Sequence, residues 1–236
     1  MYVVDPPPIA SLSIAGLEQR FPIHRIFCIG RNYAAHTREM GADPRRDPPF
    51  FFMKPPCAAV DAAGGPVTVP YPPMTENYHH EVELVVAIGK AGFVVSVERA
   101  LDHVYGYAVG LDMTRRDLQM EARARGWPWE MGKSFSMSAP LGPIHRVTDC
   151  GDISNSDITL HIDGVRKQSS SISQMIWSVA ECIAHLSAYE ALQPGDLIMT
   201  GTPEGVSPVR VGNTMIGQIS RLGQIAVQVV DSGRSR

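Results

Sequence analysis

Cysteine is scarce in this chain, and its few copies are not arranged as pairs. Four occur in 236 residues, at Cys28, Cys57, Cys150 and Cys182, and no two of them form a CxxC pair. Closely spaced cysteines are the usual mark of zinc sites and redox motifs. Scattered cysteines are typical of proteins kept in a reducing compartment. We therefore predict reduced thiols, neither a disulfide nor a zinc site, and a cytoplasmic location.

Long apolar runs and an excess of positive charge are also missing. No stretch approaches the roughly 20 apolar residues that a membrane-spanning helix needs, and the start, MYVVDPPPIASLSIAG, lacks the basic region of a secretion signal. Lys and Arg number 21 against 24 Asp and Glu, which gives a formal net charge of -3. Such a chain has no basic field for nucleic acid or an anionic membrane, so we expect neither as a partner. An anionic ligand must be bound by local cations.

The composition itself is that of a folded globular protein. Hydrophobic residues make up 44% of the chain and charged residues 19%, which excludes general disorder. A chain of this length fits one large domain, or a domain with a small appendage. Because the beginning is Pro-rich and weakly patterned, we predict an N-terminal arm over residues 1–24 and one main domain over 25–236.

Apolar runs rich in Val and Ile predict a strand-dominated fold. Predicted strands cover 25–30, 79–90, 104–113, 158–164 and 197–201, with strand-and-turn structure over 61–73 and a terminal hairpin over 211–230. A Pro-rich loop is predicted over 43–49. Since strands and helices do not alternate regularly, the pattern favours an α+β fold over a doubly wound sheet.

Three segments predict helices. The first covers 32–41, with Asn32 as a possible cap and Gly41 as the stop, and the second covers 114–126 with Thr114 as the N-cap. The third has one apolar stripe and ends at Pro194-Gly195; the stripe consists of Ile172, Ile176, Val179, Ile183 and Leu186.

Two glutamates, Glu81 and Glu83, occur two residues apart in a predicted strand. Residues with this spacing point to the same face of a strand. Two like charges on a buried face are costly unless a cation joins them, whereas an exposed face would carry them at little cost. Asp112, at the junction between an apolar strand and a helix, favours the cation, because functional groups are frequent at such junctions. Its alternative role is a helix cap.

Three carboxylates form a hard oxygen ligand set that suits Mg²⁺ or Mn²⁺ better than zinc. An octahedral ion held by three protein oxygens keeps three positions, which a bidentate 2-oxo acid and one water would fill. The three carboxylates exceed the charge of a divalent ion, so an anionic substrate needs positive neighbours. Lys54 and Lys133 are candidates, with snorkelling surface lysines as the alternative. Arg115 and Arg116 are interpreted as ordinary surface arginines of a helix.

His36 and Glu39 lie three residues apart on the first predicted helix and so share a face. A glutamate that accepts one imidazole N–H makes the other ring nitrogen a better base; an incidental exposed pair is the alternative. The Gly-rich turn TGTPEGV (200–206) could offer backbone N–H groups and the Thr202 hydroxyl to a carboxylate, or be simply a tight turn. It lacks the lysine of a nucleotide-binding P-loop.

Seven segments, taken in order, resemble the fumarylacetoacetate hydrolase family. They are IGRNYAAHTREMG, FFMKP, HHEVELVVAIG, YGYAVGLDMTRRDLQ, GKSF, SQMIWSVAE and LQPGDLIMTGTPEGV. One such motif would be weak evidence, but seven in order are highly specific. The chain departs from the usual family pattern after GKSF, at Ser136-Met137-Ser138, near the expected distal end of the substrate pocket.

The resemblance implies a fold and a set of site residues. The implied fold is α+β, a β-rich mixed-sheet roll of the family's C-terminal-domain type, usually found as a homodimer. The implied metal ligands are Glu81, Glu83 and Asp112, with Mg²⁺ or Mn²⁺ as the cofactor. The implied catalytic residues are His36, Glu39 and Lys133, and the implied substrate contacts are Arg31, Gln119, Thr202 and Lys54.

The resemblance also implies an activity, the metal-dependent hydrolysis of a C–C bond in a 2,4-dioxo acid. The expected substrate is a dicarboxylic oxo acid, fumarylpyruvate, cleaved to fumarate and pyruvate in gentisate catabolism. Acylpyruvase, oxaloacetate decarboxylase and hydroxyhepta-dienedioate isomerase/decarboxylase activities of the same family stay open. A non-catalytic small-acid binding protein is the alternative of another class; His36, Glu39 and Lys133 argue against it, because binding alone would not require them.

Overall fold

The computed structural model describes residues 2–41 and 48–233. Residues 43–47 of the predicted loop lie outside these ranges. The strands are β1 (Ser11–Ile14), β2 (Leu17–Pro22), β3 (Ile26–Gly30), β4 (Phe50–Lys54), β5 (Ala59–Asp61), β6 (Val67–Pro70), β7 (Tyr78–His79), β8 (Val82–Ile88), β9 (Val104–Leu111), β10 (Thr114–Arg115), β11 (Ala139–Leu141), β12 (His145–Arg146), β13 (Asp157–Ile162), β14 (Val165–Ser171), β15 (Leu197–Met199), β16 (Thr214–Ile219) and β17 (Gly223–Val230).

Within the described residues, the helices are fewer than the strands. They are α1 (Ala34–Glu39), α2 (Val97–Ala100), α3 (Arg116–Arg125), α4 (Glu130–Lys133), α5 (Val147–Cys150) and α6 (Val179–Tyr189), with 3-10 turns at Pro56–Ala58, Leu101–His103 and Ile172–Gln174. Within the described residues, no helix has the length and apolar character needed to cross a membrane. All four cysteines are free thiols.

Two sheets pack against each other to form the body of the protein. The larger one has the order β4-β3-β15-β8-β9-β11-β5, with β12 also paired to β9, and the smaller one has the order β14-β13-β16-β17-β6. Both are mixed, because β3–β15, β5–β11 and β6–β17 pair in parallel while the other pairs are antiparallel. Strands β13 and β16 contact β8 and β9 across the core. The predicted α+β fold, a β-rich roll, is confirmed.

Strand β8 is buried on both faces. Leu84 and Val86 face the core shared with the smaller sheet, whereas Val85 and Ala87 belong to a second apolar cluster. Side chains alternate along a strand, so Glu83 lies on the same face as Val85. Every residue of β8 is buried. The exposed strand face considered for Glu81 and Glu83 is therefore excluded.

A hairpin of β1 and β2 covers the second cluster. Its Leu12, Ile14 and Phe21 pack with Val85 and Ala87, and the Ala15 N–H donates to the Ile144 carbonyl at 2.9 Å. The hairpin thus covers the face of β8 on which the glutamates lie. The division of the chain at residue 24 stays a prediction.

Two predicted helix caps are wrong. Helix α1 begins after Tyr33, and Asn32 is used elsewhere. Helix α3 begins after Arg115 without a side-chain cap, because Thr114 belongs to β10 and donates its hydroxyl to the Asp112 carbonyl at 3.0 Å. Both residues fit the local pattern of a cap, but tertiary hydrogen bonds decide their positions.

The third predicted helix begins later than its apolar stripe indicates. Helix α6 begins at Val179, where Ser178 and Glu181 form a capping box. Ile172 lies in a 3-10 turn instead and is buried there. Apolar spacing alone does not reveal the break, because the turn and the helix bury their side chains in the same core.

Asn32 joins three segments that are far apart in sequence. Its side-chain amide donates to the Trp177 carbonyl at 2.9 Å and to the Thr200 carbonyl at 2.8 Å, and its oxygen accepts from the Trp177 N–H at 2.8 Å. The side chain is fully buried. Its removal would leave several buried polar groups without partners, which costs about 1–3 kcal/mol for each group.

We expect Asn32→Ala to lower the free energy of unfolding by about 3 kcal/mol in a denaturant titration. The exposed Asn155 provides the matched control, and Asn155→Ala is expected to stay within about 0.5 kcal/mol of the wild type. A loss below about 1 kcal/mol for Asn32→Ala would show that this junction does not hold the segments together.

Candidate metal centre and cavity

The register of β8 and β9 brings the three predicted metal ligands together. The two strands are antiparallel, with Val82 opposite Leu111, so the residue before β8 meets the residue after β9. The Asp112 N–H donates to the Glu81 carbonyl at 2.8 Å. One oxygen each from Glu81, Glu83 and Asp112 lie within 4.8 Å of one another. The three residues are only 4%, 2% and 1% exposed.

Lys133, at the end of α4, lies between two of the carboxylates. Its ammonium donates to Glu81 Oε2 at 2.6 Å, to Asp112 Oδ2 at 2.7 Å and to the Thr114 hydroxyl at 2.7 Å. Burial acts to lower the pKa of Lys133, but the charges of Asp112 and Glu81 outweigh it and raise that pKa. The ammonium is therefore held charged inside the cluster.

Lys54 supports Asp112 from the opposite side. It is fully buried, and its ammonium lies 2.8 Å from Asp112 Oδ1. It also donates to the Ser138 hydroxyl at 3.0 Å and to the Lys133 carbonyl. This position is behind the carboxylates, away from the cavity described below. Lys54 is not among the described residues that line the cavity, and its expected contact with the substrate stays a prediction.

Arg116 is a site residue that the sequence interpretation missed. It is 5% exposed, not a surface arginine, and pairs with Glu81 Oε1. It also donates to Gln119 Oε1 at 2.5 Å. Gln119 was expected at the site, and a residue three positions away shares its helix face. That spacing is the signal that could have identified Arg116.

Nearby cations offset the negative charges of the three carboxylates to different extents. Burial acts to raise the pKa of Glu81, but Lys133 and Arg116 outweigh it and hold the pKa below its usual value. Burial raises the pKa of Glu83 well above its usual value, and the charges of Asp112 and Glu81 add to this effect. Among the described residues, no cationic side chain pairs with Glu83. Its Oε2 accepts only the Gly201 N–H, at 2.9 Å.

This uneven compensation fits a divalent cation. Asp112 Oδ1 is buried without a hydrogen bond, because its contact with Lys54 lacks hydrogen-bonding geometry. Together with the uncompensated Glu83, it leaves negative charge and lone pairs in one small region. Three carboxylate oxygens are the donors that Mg²⁺ and Mn²⁺ prefer. The cluster of Glu81, Glu83 and Asp112 could therefore hold such an ion.

His36 and Glu39 form the predicted dyad on α1. His36 Nδ1 lies 3.1 Å from Glu39 Oε2, and His36 is buried at the cavity. The Gly205 N–H donates to both oxygens of Glu39, at 3.1 and 3.2 Å. With Nδ1 oriented towards Glu39, the other ring nitrogen is the one available to act as a base.

The turn over 200–206 gives its N–H groups to carboxylates, as expected, but the carboxylates belong to the protein. The Gly201 N–H donates to Glu83, and the Gly205 N–H donates to Glu39. Both glycines have φ of +93°, and a Cβ at Gly205 would lie 2.0 Å from the Lys167 carbonyl oxygen. Only glycine accommodates such a conformation and close approach. The turn therefore positions the predicted metal ligand Glu83 and the dyad together.

The hydroxyl of Thr202 is already paired within the protein. It donates to the Val82 carbonyl at 2.8 Å and accepts from Gln168 Nε2 at 2.8 Å. Gln168 in turn accepts from the Val82 N–H at 3.1 Å and bonds to His80 at 2.9 Å. Thr202 lines the cavity, but its hydroxyl orients the start of β8. Gln168 is a second residue that sequence reasoning missed.

Most of the predicted site residues line one cavity. The space between its lining side chains measures about 490 Å³ when the open solvent at its mouth is included. Its lining residues are Ile29, Gly30, Arg31, His36, Met40, Phe52, Glu81, Glu83, Asp112, Arg116, Gln119, Met120, Arg123, Trp129, Lys133 and Thr202. Lys54, Ser136, Met137 and Ser138 are not among these described lining residues; Met137 packs against the core instead.

The family follows from this fold and this site together with comparison to known proteins. Residues 25–230 match the family described as fumarylacetoacetate (FAA) hydrolase C-terminal. The chain belongs to the fumarylacetoacetate hydrolase family, as its motifs indicate.

Individual proteins similar to this chain include two fumarylpyruvate hydrolases and an oxaloacetate tautomerase. The chain is similar to a fumarylpyruvate hydrolase of a Ralstonia species, with 48% identity over 76% of this chain and 92% of that protein. It is also similar to the crystal structure of fumarylpyruvate hydrolase from Pseudomonas aeruginosa in complex with Mn²⁺ and pyruvate, with 52% identity, a TM-score of 0.97 and coverage of 98% and 100%. A mitochondrial oxaloacetate tautomerase of Arabidopsis thaliana is 38% identical over 87% of this chain and 90% of its own length.

We expect Glu83→Gln and Asp112→Asn to weaken Mn²⁺ binding at least about 100-fold in isothermal titration calorimetry, because each removes a charged ligand. The control is Glu98→Gln, an exposed glutamate on α2, which should bind Mn²⁺ like the wild type. Thermal unfolding of the metal-free variants checks that they are folded. Affinities within about tenfold of the wild type would rule out this cluster as the metal site.

Proposed function

We propose that the protein is a metal-dependent hydrolase that cleaves fumarylpyruvate to fumarate and pyruvate. The observation that carries the proposal is a single cavity lined by both the carboxylate cluster and His36 of the dyad. A buried metal site explains binding of a 2-oxo acid, and a positioned base explains attack by water. The similarity to the Ralstonia and Pseudomonas fumarylpyruvate hydrolases supports the same reaction.

The charge of the site suits a substrate with two carboxylates. The cluster holds three carboxylates, and two of them, Glu81 and Asp112, are in contact with three cations, Lys54, Lys133 and Arg116. These charges balance, so a bound divalent cation would leave the cluster with two positive charges. Fumarylpyruvate carries two negative charges, and a buried site favours a ligand that neutralises it.

The protein's own groups position the 2-oxo acid end of the substrate. When bound, Mg²⁺ or Mn²⁺ supplies Lewis-acid polarisation at this end. Lys133 is held charged beside the same carboxylates, where it can stabilise negative charge that develops on the 2-oxo oxygen. Gln119 is oriented by Arg116 and lies in the cavity wall. We assign Gln119 and Arg31 to substrate binding, and Lys54 to positioning Asp112.

The dyad of His36 and Glu39 activates the attacking water. His36, oriented by Glu39, takes a proton from water, and the resulting hydroxide attacks the ketone carbon of the fumaryl group, which is bonded to the methylene carbon. The C–C bond between this carbon and the methylene carbon breaks. Its electron pair passes to the pyruvate half, where Lys133 stabilises the charge. The proton held by His36 then returns to the methylene carbon, which yields pyruvate and fumarate.

Three alternatives differ in what they require of the site. A tautomerase or decarboxylase, as in the oxaloacetate-specific relatives, needs no attacking water, so the dyad would act only in proton transfer. An acylpyruvase would use the same steps on a substrate with one carboxylate. A small-acid binding protein would need neither His36 nor Lys133 in place. A homodimer, a cytoplasmic location and a part in gentisate catabolism stay predictions.

We expect fumarylpyruvate to have the highest kcat/KM in a spectrophotometric comparison with acetylpyruvate and oxaloacetate, with Mg²⁺ or Mn²⁺ present and a chelator abolishing turnover. His36→Asn should lower kcat for fumarylpyruvate about 10²- to 10⁴-fold, the usual contribution of a positioned base. The control is His161→Asn, on β13 outside the cavity lining. A preference for oxaloacetate with release of CO₂, or full hydrolysis by His36→Asn, would contradict the proposal.

A further inference from the structure

Two arginines line the outer part of the cavity without taking part in the metal cluster. Arg31 follows β3 and is exposed, and Arg123 lies on α3 and is half-buried. Both line the cavity with the carboxylate cluster. Since the cluster is buried and these arginines reach solvent, they lie towards the mouth.

Arg31 lies near another positive charge, that of Arg123, and has no counterion among the described residues. Burial lowers its pKa, and the charge of Arg123 lowers it further, so the two guanidinium groups repel each other. Among the residues that the structure describes, Arg31 forms neither a salt bridge nor a side-chain hydrogen bond. Two neighbouring cations without an anion form a natural site for a carboxylate, which both can bind through paired N–H groups.

The backbone at Arg31 is also unusual. Its φ is +61°, in the left-handed region that residues other than glycine rarely adopt. Such strain persists only where the surroundings impose it, and it is frequent at ligand-binding positions. The fold here fixes the next residue, Asn32, through three hydrogen bonds. The strained backbone thus presents Arg31 at the cavity mouth.

Arg123 is fixed from the other side. One of its guanidinium nitrogens donates to the Met40 carbonyl at 3.1 Å, at the end of α1. This bond connects α3 to the helix that carries His36 and Glu39. Met40 and Met120, beside the two arginines, also line the cavity. Flexible methionine side chains suit contact with an apolar carbon chain of the ligand.

We propose that Arg31 and Arg123 form a subsite for the distal carboxylate of the substrate and determine its preference for a dicarboxylic acid. The inference rests on the proposed function for the identity of the substrate. The metal cluster binds the 2-oxo acid end, the methionines contact the carbon chain, and the arginine pair binds the far carboxylate. A 2,4-dioxo acid with one carboxylate would leave this pair without a counterion.

The test compares ligand binding with and without the second carboxylate, separately from turnover. In the His36→Asn background with Mn²⁺ bound, dissociation constants are measured by calorimetry for fumarylpyruvate and acetylpyruvate. Adding Arg123→Gln should weaken fumarylpyruvate binding about 10- to 100-fold, the effect of a charge-assisted hydrogen bond. The factor by which Arg123→Gln raises the dissociation constant of acetylpyruvate should be at least about five times smaller than the factor for fumarylpyruvate. Arg31→Asn should act similarly, since asparagine tolerates the left-handed backbone.

The matched control is Arg125→Gln on the same helix. Arg125 is exposed and pairs with Glu121, so its removal should leave the ratio of the two dissociation constants unchanged. An equal loss for both ligands, or no loss in either variant, would overturn the inference. If the wild type binds fumarylpyruvate with this dependence on Arg123 but does not hydrolyse it, the proposed function fails while the subsite stands.

Discussion

Three carboxylates packed within 4.8 Å of one another inside the protein impose the constraint on which the site depends. Like charges at this distance and burial repel strongly unless cations compensate them. Lys54 lies behind Asp112, Lys133 bridges Asp112 and Glu81, and Arg116 pairs with Glu81. Only Glu83 has no such partner among the described residues. The cluster is therefore stable enough to be built into a buried strand pair, yet still suited to a divalent ion.

The turn over 200–206 connects this cluster to the dyad. One glycine N–H of the turn holds Glu83 and another holds Glu39. The Asn32 side chain fastens the beginning of the same turn, at Thr200, to the segment that leads into α1. A metal site alone would serve tautomerisation or decarboxylation, whereas hydrolysis needs a base at a fixed place relative to the metal. The turn supplies that fixed relation, because both groups are held by one short piece of backbone.

The sequence allowed the main strands, the terminal hairpin and the grouping of Glu81, Glu83 and Asp112 to be predicted, since strand periodicity and family motifs are local signals. Their role as metal ligands stays a prediction. Glu81 and Glu83 stayed ambiguous until the hairpin and the smaller sheet showed β8 buried on both faces. The caps proposed at Asn32 and Thr114 were wrong because long-range hydrogen bonds use those side chains. Arg116 was misjudged for a similar reason: whether an arginine lies within a site or on the surface depends on packing that local patterns do not encode.

The most direct test of the account is to locate the metal. In a crystal of the protein grown with Mn²⁺, anomalous scattering identifies the ion independently of any assumption about its ligands. The account predicts one strong peak coordinated by Glu81, Glu83 and Asp112, facing the cavity that His36 lines. The preparation used for the crystals must turn over its substrate. A strong Mn²⁺ peak at other residues, with no ion at Glu81, Glu83 and Asp112, would contradict the account.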